Sequence, residues 1–449
     1  MMAQSNRYKK DQQIIIVGAG VFGLSTALEL SQRGYENIKV LDRYLPPVPD
    51  GSSVDISRVI RTDYADAVYN KMAREAYEGW KTSYAEHFHE SGFIMLSGRS
   101  GNEYRNKSKA INEAAGRKLD EIEDAIEVRS LYPGIQARLD GLTAVHNPSG
   151  GWADAASAIR QLSVECSKAG ASFVTGPAGT VTSLQFEGHR VVGVNVEEGR
   201  SISATQVILA TGAWSNRLLG LEHATTASAQ PVGFIQLSPK EAAAMSPMPV
   251  MINFETGVFI FPPDPKTHLL KLARHGWGFA SEMRASDGRG LVSAPKLQQS
   301  NAESAFLPDE ADAALREGLR LYAPQIADRR WHYRRLCWYS DTPEGDFIMD
   351  YHSQYEGLFL ATGGAGQCVP HSDHLRKIQA DSTLPISAFK MLPVLGRYVA
   401  DCFEHKAPAE LRKKWRFRRP SEGGVKMRGD GSRAGPPLRR LTKAEQDRL

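Results

Sequence analysis

The sequence predicts an α/β protein that combines a discontinuous Rossmann-like domain with an α+β domain built on a mixed sheet. Three observations support this fold class. A β-branched strand runs into a glycine-rich turn near the N-terminus, strand-like and helix-like segments alternate around it, and long strands with polar connections fill residues 231–335. The chain has 449 residues, enough for about two or three domain-sized units.

The N-terminal turn has the spacing of a dinucleotide-binding loop. It follows the strand 14–17 and reads Gly18-Ala19-Gly20-Val21-Phe22-Gly23. The first glycine lets the chain reverse, the second lets backbone N–H groups approach a pyrophosphate, and the third lets the helix pack on the strand. A second strand, 38–41, ends in Asp42, where an acidic side chain would accept a ribose hydroxyl. We assign these residues and the adjacent Arg43 to a dinucleotide site.

The remaining elements are predicted from periodicity and turn residues. The predicted helices are 69–86, one that is opened by residues 150–154 and extends through 170, an acidic helix 309–322, and 392–403. The predicted strands are 93–96, 172–174, 190–196, 258–261, 269–272 and 357–362. The predicted division is 10–92, 150–216 and 336–412 for the nucleotide-binding domain, 93–149 and 217–335 for the second domain, and 413–449 for a basic C-terminal extension.

Positive charge is concentrated at the C-terminus. The formal net charge is +4, but from His405 onward 14 lysines and arginines stand against five acidic residues. A basic run such as residues 411–419 could contact nucleic acid or an anionic membrane. We favour a solvated extension that lies over the nucleotide-binding domain, and we expect neither a nucleic-acid partner nor membrane association.

Cysteine usage and the two chain ends indicate a soluble protein of a reducing compartment. The cysteines at positions 166, 337, 368 and 402 lack the spacing of a disulfide framework or a zinc site, so we expect no bound metal. The N-terminus has no apolar signal segment, and no stretch is long enough to span a bilayer. Because residues 447–449 lack the small residue of a peroxisomal signal, we expect a cytoplasmic protein, with a peroxisomal location left open.

Further motifs follow the glycine turn in an order that resembles a known enzyme family. They occupy residues 51–61, 207–215, 270–275, 337–339, and the pair 363–366 and 388–390. Together they resemble the FAD-dependent amine oxidases: monomeric sarcosine oxidase, pipecolate oxidase, saccharopine oxidase and the fructosyl amino acid oxidases, with the fungal members most similar. The resemblance covers nearly the whole chain. It implies an FAD-binding domain, and a substrate domain whose mixed sheet covers the flavin ring.

The same resemblance implies which residues hold FAD. Besides the glycine turn, Asp42 and Arg43, they are Ser52, Ser53, Arg58, Ala210, Gly212, Trp214, Gly364, Gly366 and Lys390. Cys337 matches the cysteine that bonds the flavin 8α-carbon as a thioether. The alternative for a lone cysteine is a buried structural residue.

Two cations are implied to bind the substrate carboxylate. Arg61 and Lys390 match these positions, and a guanidinium fork suits a carboxylate. Arg58 is implied to lie beside the flavin, and it shares a face with Arg61 if the segment is helical. The alternative is a solvated arginine pair on a surface.

Three more residues match the active site of the family. Tyr339 matches a substrate-contacting tyrosine, and His275 matches an active-site histidine. Lys271 matches the lysine that holds a water against flavin N5 and promotes reduction of O₂ by its charge. In a strand, its side chain should point opposite to its apolar neighbours. A core tyrosine and a solvent-facing lysine are the alternatives.

The chain departs from the family between the last two motifs. Relatives continue from the glycine turn through a histidine into the phenylalanine-lysine pair, whereas here residues 367–387 intervene and the histidine is missing. Codons for residues 367–369 can contain a splice donor after the bases CA, and a codon for Ser387 can supply AG followed by the base that completes a histidine codon. We favour a retained intron over a natural loop insertion, because so long a structureless connection is unusual at such a turn.

These observations predict an FAD-dependent oxidase of a secondary amine, in particular an N-substituted amino acid, that transfers a hydride to flavin N5 and yields an imine and H₂O₂. The partners are a small amine and O₂, and we expect a monomer. One alternative is a flavin-binding but inactive protein, because residues 367–387 interrupt the active-site turn. The other is an NAD-dependent dehydrogenase.

Overall fold

The computed structural model describes residues 9–221, 223–288, 290–296, 305–364, 387–419 and 432–449. Statements about its elements refer to these residues. The α-helices are α1 (Val21–Gln32), α2 (Ala67–Lys81), α3 (Glu103–Ala114), α4 (Val128–Leu131), α5 (Ala155–Lys168), α6 (Ser215–Leu218), α7 (Pro239–Met245), α8 (Asp309–Tyr322), α9 (Leu392–Phe403), α10 (Ala409–Lys414) and α11 (Lys443–Asp447).

The strands come from every part of the chain. They are β1 (Gln13–Val17), β2 (Asn37–Leu41), β3 (Arg58–Ile60), β4 (Phe88–His89), β5 (Phe93–Gly98), β6 (Asp120–Ile122), β7 (Leu142–Asn147), β8 (Gly151–Ala153), β9 (Ser172–Val174), β10 (Val181–Glu187), β11 (Arg190–Val196), β12 (Ser201–Ser203), β13 (Gln206–Leu209), β14 (Thr226–Gln236), β15 (Val250–Asn253), β16 (Val258–Ile260), β17 (Leu269–Arg274), β18 (Phe279–Ala280), β19 (Met283–Arg284), β20 (Leu291–Val292), β21 (Tyr333–Asp341), β22 (Ile348–Tyr351), β23 (Leu358–Thr362) and β24 (Arg439–Arg440).

A parallel sheet with helices packed on it forms the Rossmann-like part. Its order is β22-β23-β13-β1-β2-β9, and only the edge strand β22 runs antiparallel to its neighbour. The central strands are apolar and buried on both faces, as expected when helices cover a parallel sheet. Helix α1 packs on α5 and α9. Since these strands lie far apart in the sequence, the discontinuous α/β fold is confirmed.

A mixed sheet forms the second layer beside the Rossmann-like part. Its order is β24-β18-β14-β17-β16-β15-β5-β7-β6, and β21 pairs with β14. Most pairs are antiparallel, but β15 and β5 run parallel. The acidic helix α8 packs on β14, β16 and β17, so its apolar side completes the core of this layer.

Strand β21 lies in the mixed sheet, although the predicted division placed residues from 336 onward in the nucleotide-binding domain. It pairs with β14 along its whole length, from Tyr333 opposite Phe234 to Asp341 opposite Thr226. The parallel sheet resumes only at β22. The motif around Cys337 indicates contact with a cofactor, and it does not indicate which sheet carries the strand. The division into domains stays a prediction.

We expected the C-terminal extension to be solvated, but its described part is anchored in the folded core. Trp415 is fully buried beside the Rossmann-like core, and β24 pairs with β18 at the edge of the mixed sheet. Arg433 is buried and forms an ion pair with Asp341. The expectation was wrong because it followed average charge, whereas a few aromatic residues and one buried ion pair decide where the segment lies. Among helices of the described ranges, none has the length and apolarity needed to cross a bilayer.

Candidate active site

A deep cleft opens where the parallel sheet meets the mixed sheet. The turn between β1 and α1 forms one end of it. The lining also includes Arg61 after β3, Phe261 after β16, His275 after β17, Tyr339 on β21, and Lys390 in the 3₁₀ turn Ala388–Met391 before α9. The predicted dinucleotide site and the predicted cation group therefore share one cleft.

The glycine turn packs so closely against its own chain that two of its glycines leave no room for a side chain. Gly18 has φ of +106°, and a Cβ there would lie 2.5 Å from the carbonyl oxygen of Ala210. A Cβ on Gly23 would overlap the carbonyl oxygen of Gly18. Helix α1 begins immediately after the turn, and the N–H of Val21 donates to Ser53 Oγ at 2.9 Å. The helix N-terminus therefore offers a site for an anionic group.

Acidic and basic side chains follow β2 at the same end of the cleft. Asp42 Oδ2 accepts a hydrogen bond from the Ala19 N–H at 2.7 Å, and burial raises the pKa of its carboxyl group. Arg43 forms a two-pronged pair with Asp50, with both N–O distances at 2.8 Å, and its guanidinium lies 5.0 Å from the Trp214 ring centre. These groups hold the loop after β2 against the turn.

Cys337 is a buried thiol beside an arginine. Arg58 Nη2 lies 3.3 Å from Cys337 Sγ and donates to the carbonyl oxygen of Ser52 at 2.8 Å. Burial alone would raise the pKa of the thiol, but the positive charges of Arg58 and Arg335 outweigh it, so the pKa is lowered. Cys337 is thus biased toward the thiolate, the nucleophilic form of cysteine.

Lys271 is fully buried on β17 and points away from its apolar neighbours, as predicted. Its ammonium lies 2.7 Å from Asp55 Oδ2, donates to the Ser57 carbonyl oxygen at 2.5 Å, and lies 4.6 Å from the centre of the Phe261 ring. Burial lowers the pKa of this lysine to about 7, although Asp55 opposes the effect. The solvent-facing alternative is therefore wrong.

Arg61 and Lys390 form a positively charged corner of the cleft. Arg61 lies among the rings of Tyr64, Phe93 and Tyr104, at 5.0–5.5 Å from their centres. Its Nη1 has no hydrogen-bond partner within the described residues. Burial, reinforced by Arg61 and Arg58, holds the pKa of Lys390 well below its usual range. An anion in this corner would relieve the repulsion.

His275 and Tyr339 also line the cleft. His275 Nδ1 lies 3.4 Å from the Tyr339 hydroxyl, and its Nε2 is buried without a hydrogen-bond partner in the part of the chain that the structure describes. Burial, together with Arg433 and Lys390, holds the pKa of His275 well below its usual range. A neutral histidine therefore faces the cleft.

Most of the predicted residues lie together, and a few do not contact the cleft directly. Gly23, Lys271 and Cys337 lie behind its lining, and Gly366 lies outside the described residues. Arg58 belongs to β3, so the conditional helix for Arg58 and Arg61 is wrong. The two arginines still line the same cleft, because Arg61 follows the end of the strand. The individual roles stay predictions.

Sequence reasoning missed the charged partners of these residues. Asp55 contacts Lys271, Arg335 and Arg58, and the motif at residues 51–61 contains it but indicates no role for it. Arg335 stands two residues before Cys337, so the alternation of side chains in a strand could have placed it on the same face. Nothing in the sequence pattern indicates that Arg433 pairs with Asp341 across 92 residues.

Comparison with known proteins places the chain in one family. Residues 13–370 match the family model described as FAD dependent oxidoreductase. L-saccharopine oxidase of Schizosaccharomyces pombe is 30% identical over 429 residues, which cover 90% of this chain and 93% of that protein. Monomeric sarcosine oxidase of Arthrobacter sp. (strain TE1826) is 25% identical over 370 residues, covering 80% and 88% of the two chains.

A solved structure agrees over almost the full length. Fructosamine oxidase of Aspergillus fumigatus, Amadoriase II, aligns with a TM-score of 0.79 and 28% identity over 96% of each chain. The family that matches is FAD-dependent, so our alternative of an NAD-dependent dehydrogenase is wrong. With the glycine turn, the acid after β2 and the cation group in one cleft, the chain belongs to the FAD-dependent oxidoreductases, among the amine oxidases that include sarcosine, saccharopine and fructosyl amino acid oxidases.

Proposed function

We propose that this enzyme oxidises a secondary amine that carries a carboxylate, an N-substituted amino acid, and produces H₂O₂. The observation that supports the carboxylate most directly is the buried cation corner, where Arg61 keeps an unpartnered Nη1 next to Lys390. Buried cations are costly without a counter-ion. A substrate carboxylate supplies that counter-ion.

The residues of the cleft fit FAD. The glycine turn and the N-terminus of α1, which line one end of the cleft, would hold the pyrophosphate, and Asp42 lies where a ribose is bound in such folds. Ser52, Arg58 and Tyr339 line the part between this end and the cation corner. Bound there, FAD would accept a hydride from the carbon next to the amine nitrogen and pass two electrons to O₂.

The side chains of the protein would orient the amine and control charge. Arg61 and Lys390 would hold the carboxylate, and the carboxylate would in turn stabilise the charged form of Lys390. Neutral His275 could accept a hydrogen bond from the amine, which must be unprotonated to react. Water then hydrolyses the imine to a carbonyl compound and a primary amine, whereas a cyclic imine persists.

A panel of paired amines tests this function. Sarcosine, pipecolate, saccharopine and fructosyl amino acids, each beside its carboxylate-free analogue, are mixed with the purified enzyme while O₂ uptake and peroxide are recorded. We expect at least one acid to react and its carboxylate-free partner to react at least about tenfold more slowly, because a charge-assisted bond contributes about 1.5–3 kcal/mol. Equal rates within every pair would contradict carboxylate recognition.

We propose further that Cys337 carries the flavin covalently. The support is a buried thiol whose pKa is lowered by Arg58 and Arg335. After acid precipitation the yellow colour should remain with the parent protein, and Cys337→Ser should release it. Cys402→Ser is the matched control, because burial raises the pKa of this other buried thiol to about 12. Colour released from the parent would contradict the linkage.

The state and location of the enzyme are also proposals. We propose a monomer in the cytoplasm, on the basis that relatives include proteins named monomeric sarcosine oxidase. Relatives named peroxisomal sarcosine oxidase keep the peroxisome as the alternative location. Sedimentation of the purified enzyme and cell fractionation distinguish these possibilities.

A second candidate function is flavin binding without turnover. It is supported by residues 367–387, which separate Gly364 from Ala388 in the chain and stand where the family resemblance implies a histidine. This segment lies outside the described residues except for Ser387. A yellow protein that consumes no O₂ with any amine of the panel would favour this function.

A further inference from the structure

The Asp55 carboxylate lies where the lysine and the thiol of the site come together. Its side chain is 1% exposed. One oxygen, Oδ2, lies 2.7 Å from Lys271 Nζ, 3.2 Å from Arg335 Nη2 and 3.6 Å from Arg58 Nη2. A single negative charge therefore faces three cations.

Backbone contacts fix this arrangement from several sides. The N–H of Ile56 donates to Asp55 Oδ1 at 2.9 Å, and Arg335 also donates to the Val54 carbonyl oxygen at 3.2 Å. Lys271 is held by the Ser57 carbonyl oxygen as well as by the carboxylate. The charges can therefore separate little without moving β17, β21 or the segment before β3.

Arg58 connects the carboxylate to the thiol. The same atom that lies 3.6 Å from Asp55, Nη2, lies 3.3 Å from Cys337 Sγ. Arg335 interacts with the charges of both Asp55 and Cys337, and Tyr333, Tyr339 and Lys390 are further titratable groups near the cluster. Since Asp55, Lys271, Arg335 and Cys337 are buried, a change in one charge has a strong effect on the others.

We propose that Asp55 is a positioning residue that sets the charge of Lys271 and of Cys337 together, by holding the ammonium in place and limiting how far the two arginines stabilise the thiolate. The importance of Asp55 for catalysis rests on the function proposed above, in which the thiol binds the flavin covalently and the lysine promotes the reduction of O₂. The charge coupling itself is a property of the polypeptide, and it can be measured without flavin.

Replacing Asp55 by Asn keeps the shape and removes the charge, and the direction of both effects follows. Burial lowers the pKa of Lys271 and Asp55 raises it, so the lysine pKa should fall further below about 7. Asp55 also raises the pKa of Cys337 against the two arginines, so the thiol pKa should fall as well. A residue that only supported the fold would not shift both in the same direction.

The first measurement uses flavin-free protein. Alkylation of Cys337 by iodoacetamide is followed by peptide mass spectrometry as a function of pH, in the parent and in Asp55→Asn. We expect the midpoint to fall by about one pH unit, as typical for removal of a charge within several ångströms. Asp50→Asn, at a buried carboxylate that pairs with Arg43, should leave the midpoint unchanged. A midpoint that stays or rises in Asp55→Asn overturns the proposal.

A second pair of variants tests the same proposal if Asp55→Asn alone does not fold. Removing both members of a buried ion pair is better tolerated than removing one, so Lys271→Met is compared with the double variant Lys271→Met/Asp55→Asn. The double variant should again show the lower midpoint for Cys337, and an equal or higher midpoint overturns the proposal. If the enzyme carries flavin that acid does not release but the midpoint of flavin-free Asp55→Asn is unshifted, the role of Asp55 alone is rejected. If the midpoint shifts but acid releases the flavin from the enzyme, only the covalent linkage is rejected.

Discussion

Single residues set the chemistry of this cleft through buried charge. Lys271, Asp55 and Arg58 lie within one connected group beside Cys337. Arg61 and Lys390 form a second group near the buried Asp63, whose carboxyl pKa is raised by burial. The first group is internally neutralised in part, and the second is prepared for an external anion. Different substitutions should therefore affect different steps.

Arg61→Ala should reduce recognition of the substrate acid. The variant loses a charge-assisted bond worth about 1.5–3 kcal/mol, so kcat/KM should fall at least about tenfold, since each 1.4 kcal/mol is a factor of ten. Steady-state peroxide formation measures the effect. The internal control is a carboxylate-free amine, whose already low rate should not change. Unchanged kinetics on the acid would show that Arg61 has another role.

Lys271→Met should slow reoxidation by O₂ more than anaerobic reduction by the amine, because a buried ammonium stabilises negative charge that develops on oxygen. The lysine is charged below its pKa of about 7. Reoxidation in the parent should therefore decline as the pH rises through about 7, and the variant should lack this decline. Stopped-flow traces of the two half-reactions provide the measurement, and equal reoxidation rates in parent and variant would make Lys271 structural.

The residues of the site could be predicted from the sequence, but the side chains that surround and contact them could not. Arg61, Tyr339 and His275, which were selected by resemblance to family motifs, all line the cleft. The ion pair between Asp55 and Lys271 joins residues 216 positions apart in the chain, and only the packing of β17 against the segment before β3 brings them together. Local patterns contain no information of that kind.

Elements with strong local signals formed where the sequence predicted them. The predicted helices 309–322 and 392–403 have the same bounds as α8 and α9. The helix predicted at 69–86 is divided into α2 and a short 3₁₀ turn at Ala85–His87. Periodicity extends through such breaks, whereas the hydrogen bonds of the backbone stop where Thr82 leaves the helical conformation.

An ionic cluster joins the C-terminal ends of α1 and α9. Glu404 contacts Lys10, Lys406 and Arg33, and its side chain is only 3% exposed. Hydrogen bonds to charged groups contribute about 1.5–3 kcal/mol each to stability. Glu404→Gln should therefore lower the free energy of unfolding by about 2 kcal/mol at neutral pH, as measured by urea denaturation.

The pH dependence of this effect has a definite sign. Burial would raise the pKa of Glu404, but its cationic partners outweigh burial and lower the pKa from 4.5 to about 2. A lowered carboxylate pKa stabilises the folded state at pH values above 4.5, and this stabilisation is lost as the pH falls toward about 2. The difference between parent and variant should shrink over that range. A difference that grows on acidification would reject the ion-pair account.

At the scale of the whole molecule, the cleft depends on segments from distant parts of the chain. The parallel sheet supplies the glycine turn, the mixed sheet supplies Lys271 and Tyr339, and the C-terminal segment supplies Arg433, which pairs with Asp341 next to the wall of the cleft. The overall fold class was predictable from alternation and motif order. The path of the C-terminal segment was not, because its average composition is that of a solvated tail.

The insertion at residues 367–387 provides a test at the same scale. In the described residues that flank it, the Ala388 N–H donates to the Gly364 carbonyl oxygen at 2.8 Å, so the ends are already close. Replacing 367–387 by one histidine should retain flavin binding and increase turnover on the same amine. The control is the variant in which residues 367–387 are replaced by one alanine. If the histidine join does not improve turnover, the insertion is a working part of the enzyme, and a mature transcript that retains these codons would contradict the intron hypothesis.

The central claim, that this chain is an FAD-dependent oxidase of a secondary amine, is tested most directly by the visible spectrum of the purified protein. Without oxygen, addition of the reactive amine should bleach the flavin absorption, and admission of air should restore it with release of one equivalent of peroxide per turnover. A protein without a flavin spectrum, or a flavin spectrum that no secondary amine of the panel bleaches, would contradict the claim.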